Sequence, residues 1–270
     1  MTIPRIAFSF WEGNQFTYMH YLTIYTFTKH NPDIKVVIYR TLDDNQPLIM
    51  WDSFEQKRIL HNFYDINKLK DIPNVEFKYV DFAKELHYYN PISSVWKSDI
   101  IRIIKLYEHG GFYIDFDTLF IKKIDESLFH IPHDVAFNTY EGVINNAFMV
   151  ARPKSDIIGT ILHHILQRLY SQPMSKNYEQ FGPALITELI LRTNLKNKVT
   201  FIQNEMTCPY LWNEMNTLFH STRKQHTNKT FCIHWYNGGD VSRKYCSEFD
   251  IEKIDATRNN FESLLVQSLQ

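Results

Sequence analysis

Two aspartates one residue apart, Asp115 and Asp117 in the stretch GGFYIDFDTLF, close an aromatic and apolar run. Unpaired carboxylates are expensive to bury. Such a pair therefore has a partner, holds a cation, or stands where a strand leaves the core. In an extended strand Tyr113, Asp115 and Asp117 face one side while Phe112, Ile114 and Phe116 face the other. In open α/β sheets ligands bind beyond the carboxyl ends of the strands. Two hard oxygen ligands there suit Mg2+ or Mn2+ shared with a diphosphate. The plainer reading is two solvated acids after a core strand, because a bare DxD is short and common.

The segment upstream narrows the choice. SSVWKSDIIRIIKLYEHGG predicts a helix over Ser93 to His109, stopped by Gly110-Gly111. Trp96, Ile100, Ile103 and Tyr107, widened by Ile101 and Ile104, form a stripe at helical spacing that packs on a sheet. Asp99 and Arg102, three residues apart, share a neighbouring face and can meet each other or one ligand. As an exposed pair they would stabilise the helix by only about 0.2–0.5 kcal/mol. A helix running straight into GG and then YxDxD, however, holds both near the same cleft. Arginine there suits phosphate or sugar hydroxyls, and aspartate accepts from hydroxyls.

The elements that must position these groups alternate along the chain. Strands are expected at Ile3 to Phe10, Ile34 to Tyr39, Val75 to Val80, Phe112 to Asp115, Val135 to Asn138, Ala147 to Ala151, Val199 to Ile202 and Thr230 to Trp235. Helices are expected at Phe16 to about His30, Ser93 to His109, Ser155 to Tyr170 and Pro183 to Arg192. Asp43 to about Lys70 reads as loop with short helices. The alternation predicts an α/β fold with a mostly parallel central sheet flanked by helices, and extra helices in the second half. No repeat, low-complexity tract or linker divides it, so one domain over 1–270 is expected.

Composition excludes other classes. The 270 residues are 44% hydrophobic and 15% aromatic, enough for a sizeable core and against disorder. A net charge of −1 argues against a nucleic-acid backbone binder. The three cysteines, Cys208, Cys232 and Cys246, lack CxxC spacing and suggest neither a disulfide framework nor zinc, which fits a reducing compartment. With neither a signal-peptide pattern at the N-terminus nor eighteen uninterrupted apolar residues, a soluble, cytoplasmic protein is expected.

The string S-D-x-x-R-x-x-x-L-Y-x-x-G-G-x-Y-x-D-x-D, Ser98 to Asp117, resembles the glycosyltransferase sugar-binding region containing a DXD motif. That group takes in mannosyl-, galactosyl- and N-acetylglucosaminyltransferases, and the glucosylating domains of large clostridial toxins carry a similar arrangement. Looser echoes are Ile3-Pro4-Arg5-Ile6 with Trp11, Asn145-Asn146-Ala147-Phe148 with Arg152-Pro153, Phe181-Gly182-Pro183, Cys208-Pro209-Tyr210, and His234-Trp235. His234 and Trp235 are adjacent, without the small residues usual before the late tryptophan.

The resemblance implies a GT-A-type nucleotide-sugar-binding fold. Its donor-binding half would span about 1–120 and its acceptor-side half about 121–270. It implies a retaining glycosyltransferase dependent on Mn2+ or Mg2+, with a nucleotide-sugar donor, UDP first, and a carbohydrate, lipid-linked or protein acceptor. Asp117 would be the direct metal ligand, and Asp115 would contact the donor and the metal through water. Asp99 and Arg102 would hold sugar hydroxyls and diphosphate, with Tyr113 lining the donor site. Phe8, Phe10 and Trp11 would enclose the base, His234 would add a metal ligand and Trp235 would cap the diphosphate. A satisfied core histidine is the other reading of His234. Two further readings stand beside this one. IDFDTLF also resembles the DxDGT motif of aspartyl-phosphate phosphatases, without its glycine, and the same fold also serves catalytically inactive sugar-nucleotide-binding modules.

Overall fold

The computed structural model describes residues 2–42, 62–88, 90, 92–171 and 179–270. In chain order the elements are β1 (Ile6–Phe10), α1 (Tyr18–His30), β2 (Lys35–Thr41), β3 (Val75–Val80), α2 (Phe82–Leu86), α3 (Ser94–His109), β4 (Gly111–Ile114) and β5 (Thr118–Phe120). They continue with β6 (Val135–Tyr140), β7 (Val143–Ala151), α4 (Asp156–Ser171), α5 (Pro183–Leu191), β8 (Thr200–Ile202), α6 (Asn204–Thr207), α7 (Met215–His220), β9 (Cys232–His234), α8 (Asp240–Glu248) and α9 (Asn260–Leu269). Most of the expected Asp43 to Lys70 loop lies outside the described residues; its end forms a 3-10 helix, Ile66–Asp71.

A seven-stranded sheet has the order β3-β2-β1-β4-β7-β6-β8. Only β7 runs against the rest, because β4 and β6 both pair with it antiparallel while the other neighbours are parallel. Strand β2 shows why the sheet is filled on both faces. Val37 and Tyr39 join the cluster under α3, α4 and α5, and Val36 and Ile38 join the one under α1. The β6–β7 hairpin turns through Glu141 and Gly142, both at positive φ, a conformation that matches strand twist. A separate ribbon pairs β5 with β9 antiparallel and packs beside the C-terminal helices.

Helix α3 is the support of the site. Its N-terminus is capped by the Ser93 hydroxyl, which accepts from the Trp96 amide at 3.3 Å. Trp96, Ile100, Ile101, Ile103 and Ile104 are buried as the stripe requires, each contributing roughly 1.5–3 kcal/mol relative to exposure. The helix stops at Gly110, and Gly111 opens β4 at φ +96°, where a Cβ would lie 2.3 Å from the Ile6 carbonyl oxygen. Only glycine fits so close to β1, which lets α3 turn directly into the strand that ends at the aspartates. Among the described residues, no helix is long and apolar enough to cross a membrane.

Candidate active site

The extended strand expected through Asp115 stops at Ile114; Asp115 to Asp117 form a turn into β5. The turn is pinned by its backbone. The Asp115 amide donates to the Ala147 carbonyl at 2.9 Å, and the Trp235 amide donates to the Asp117 carbonyl at 2.8 Å. The Ser9 hydroxyl donates to the Ile114 carbonyl at 2.7 Å. Between the two acids Phe116 drops into the core against Trp11 and Phe16. A plug flanked by two carboxylates keeps both acids on the cleft side.

His234, at the end of β9, completes a cluster. One ligand atom each from Asp115, Asp117 and His234 lies within 4.8 Å of the others. The His234 Nε2 is 3.2 Å from Asp117 Oδ1, and the Asn237 amide donates to Asp117 Oδ2 at 2.7 Å. The backbone kinks at Tyr236, φ +47°, just before that amide. Burial works against the Asp117 charge, yet His234 and the Asn237 amide draw its pKa down to about 2. Burial likewise opposes a charged His234, but Asp117 lifts it to about 10. Burial raises Asp115, against the pull of Arg102. Two carboxylates and one imidazole nitrogen, which must give up its proton to a binding cation, form a donor set suited to Mn2+ or Mg2+.

Arg102 is the hub beside this cluster. Its Nη1 donates to Asp115 Oδ2 at 3.2 Å and to the Asn146 carbonyl at 2.6 Å. Its Nε and Nη2 reach the Ser98 carbonyl and hydroxyl at 3.2 and 2.9 Å. Asp99 Oδ1 is 3.3 Å from Nη2 and accepts from Asn146 Nδ2 at 2.8 Å. Both side chains are about 5% exposed, so this is a buried pair and not the solvated one of an isolated helix. Burial pushes Asp99 up to about 6, although Arg102 and Asn146 oppose it.

Three of the aromatic residues expected at the donor are buried. Phe8 is fully buried against Tyr39 and His109, because alternation along β1 turns it under α3. Tyr113 is buried beneath the Arg102 guanidinium, 4.4 Å from its ring centre, with its hydroxyl 2.9 Å from Ser98 Oγ. Trp235, next after β9, points away from His234 and packs on His20 among the C-terminal helices. These three hold neighbours in place. Phe10 is largely buried against Phe82, while Trp11 is half-buried at the end of β1.

Residue types alone did not mark Ser98, Asn145, Asn146, Asn237 and Gly182 for roles. Ser98 and Gly182 lay in the strings that carry the resemblance, and Asn145 and Asn146 also interrupt the otherwise apolar strand VINNAFMVA. Asn145 Nδ2 lies 3.4 Å from His234 Nδ1, leaving Nε2 toward the carboxylates, and 3.5 Å from Cys208 Sγ. The three cysteines are free and buried.

Residues 19–133 match the family described as "Glycosyltransferase sugar-binding region containing DXD motif". Inositol phosphoceramide mannosyltransferase 2 of Schizosaccharomyces pombe is 27% identical over 59% of this chain and 44% of that protein. The chain thus spans less than half the length of this relative. Among solved structures, PaToxG glycosyltransferase superposes with a TM-score of 0.50 at 18% identity, covering 71% of this chain and 69% of that one. The WbbM bifunctional glycosyltransferase gives 0.55 at 12% identity over 99% of this chain and 50% of that one. With Asp99, Arg102, Asp115 and Asp117 all inside the matched segment, the acidic turn and its arginine lie in the part of the chain that is similar to that sugar-binding region, on a GT-A-type α/β fold.

Proposed function

We propose that this chain is a metal-dependent, retaining glycosyltransferase that moves a sugar from a nucleoside-diphosphate donor, UDP first, to a carbohydrate, lipid-linked or protein acceptor. The observation that carries the reading is the Asp115, Asp117 and His234 cluster set against the buried Arg102–Asp99 pair at the carboxyl end of β4. In this reading 1–270 form one domain, with the donor half in about 1–120 and the acceptor side in about 121–270. Three free cysteines accord with a cytoplasmic setting.

Asp117, Asp115 and His234 would hold Mn2+ or Mg2+, which supplies Lewis acidity to the leaving diphosphate. The bond from the anomeric carbon to the phosphate oxygen breaks, leaving negative charge on the diphosphate and positive charge on the ring. Arg102, locked by Ser98, Asn146 and Tyr113, contributes fixed positive charge without reorganising. Asp99 accepts from sugar hydroxyls. Trp11 gives the base an aromatic wall, and Phe10, on the other face of β1, packs on Phe82. The carboxylates Asp99, Asp115 and Asp117 are all engaged by Arg102, Asn146, His234 or Asn237, which favours no covalent intermediate. The acceptor oxygen instead attacks from the face the leaving group departs, and its proton passes to the departing phosphate oxygen. The same engagement disfavours Asp115 as a phosphatase nucleophile.

The test is nucleoside-diphosphate release from a panel of sugar nucleotides, with Mn2+, Mg2+ or EDTA, comparing wild type with Asp117→Asn. Release from one donor that EDTA and Asp117→Asn both abolish is the expected result. Absence of both release and binding for every donor would sink the reading; binding without release would point to a missing acceptor or an inactive module.

A further inference from the structure

Glu12 follows Trp11 at the carboxyl ends of β1 and β2, where the Trp11 amide still donates to the Tyr39 carbonyl at 3.0 Å. Its side chain is only 8% exposed. Oε1 is held by Lys97 Nζ at 2.5 Å, whereas Oε2 is buried and has no hydrogen-bond partner among the described residues. Lys97 is itself 15% exposed and sits on α3 directly before Ser98, whose hydroxyl accepts from Arg102. It also lies 5.9 Å over the Phe82 ring, which meets Phe10 edge-on. A buried carboxylate oxygen without a donor is costly, and this one belongs to the residue after Trp11, with its partner Lys97 on the helix that carries the site's arginine.

A carboxylate oxygen only accepts, and an ammonium only donates. Together they offer an acceptor next to a donor. That pattern complements a lactam edge, in which a ring N–H lies beside a carbonyl, as in uracil and guanine. On the matching edge of cytosine and adenine the ring nitrogen carries a lone pair and the neighbour is an amine, so in one pose both partners invert. We propose that Glu12, backed by Lys97, selects the donor's base by accepting from a lactam ring N–H. The assignment rests on the transferase reading and deepens it, because it names the base class that the site accepts.

The experiment is calorimetric binding of UDP, GDP, CDP and ADP in the presence of Mn2+ to wild type and Glu12→Gln, with melting curves for both proteins. Wild type should prefer a lactam base over its amine counterpart by about 10- to 100-fold, the range of a hydrogen bond to a charged group. The stronger of UDP and GDP then identifies which lactam base the site takes. Glutamine, able to turn its amide either way, should bring the ratio close to one. A ratio that the substitution leaves within twofold would overturn the assignment. If Glu12→Gln does not fold, UDP methylated at N3 replaces it: about tenfold or more weaker binding to wild type supports the proposal, and equal binding overturns it. Failure of wild type to bind any of the four would refute the transferase reading itself.

Discussion

Gly182 approaches Asp99 so closely that a Cβ on the glycine would lie 2.4 Å from the Asp99 Oδ2. Gly182 caps α5, with Pro183 opening the helix. The glycine is therefore a spacer for the carboxylate rather than a flexible hinge. Gly182→Ala must push Asp99 out of its contacts with Arg102 and Asn146. The expected outcome is a loss of about 1–3 kcal/mol in stability, as for overpacking, and a fall in donor turnover of tenfold or more. Denaturant melts and donor hydrolysis, measured together, check it.

Arg102→Lys keeps the charge but not the fork. Lysine cannot span the Ser98 carbonyl and hydroxyl, Asp115 and the Asn146 carbonyl at once. Breaking a buried ion network of this kind costs about 3–5 kcal/mol, and the substitution should lower thermal stability while reducing turnover far more than donor affinity. A variant with wild-type melting behaviour would refute the hub role.

Asp117→Asn removes the acid common to the His234 pair and the three-ligand cluster. Titration with Mn2+, followed by paramagnetic resonance, should show at least tenfold weaker binding. His234→Gln should weaken binding less, because a carboxylate pair remains. Equal affinity in all three proteins would place the ion elsewhere.

His20 gives a pH signature. It is fully buried among Trp11, Phe16 and Trp235, and burial lowers its pKa to about 3. Its unfolded value is near 6.5, so between those values unfolding takes up a proton. Stability then rises with pH across that window and falls as the medium is acidified, by up to about 1.4 kcal/mol per pH unit. Asp99, raised to about 6, has the opposite slope between its ordinary 3.8 and 6, where stability falls as pH rises. The two partly cancel in wild type. Chemical denaturation of His20→Gln from pH 3 to 7 should uncover the Asp99 slope, with wild type and variant diverging as the pH is lowered.

The sequence was most legible where hydrophobic period and glycine punctuation agree. Strands β1 to β4, β6 and β7 and helices α1, α3, α4 and α5 all form within a few residues of their expected ends. Helices α8 and α9 carried no such expectation, and the three-residue β5 is too short to show a period. The DXD was legible as a cleft-facing pair, but not as a turn, because pairing across β5–β9 is a contact between distant segments. Aromatic roles were the least legible. Phe8 and Trp235 have the residue type that binds bases or caps phosphates, yet only the three-dimensional packing tells which way such a ring points.

The β5–β9 ribbon also sets the moment at which the site comes into being. Both aspartates and Arg102 emerge from the ribosome well before residue 234, and the parallel sheet around β1 and β4 can be assembled by then. His234 and the Asn237 amide arrive with the return strand and the turn that follows it. A nascent chain that stops short of the return strand holds Asp117 without the imidazole and the backbone amide that offset its charge. Completion of the ribbon is therefore a late step, and the three-ligand cluster cannot exist before it.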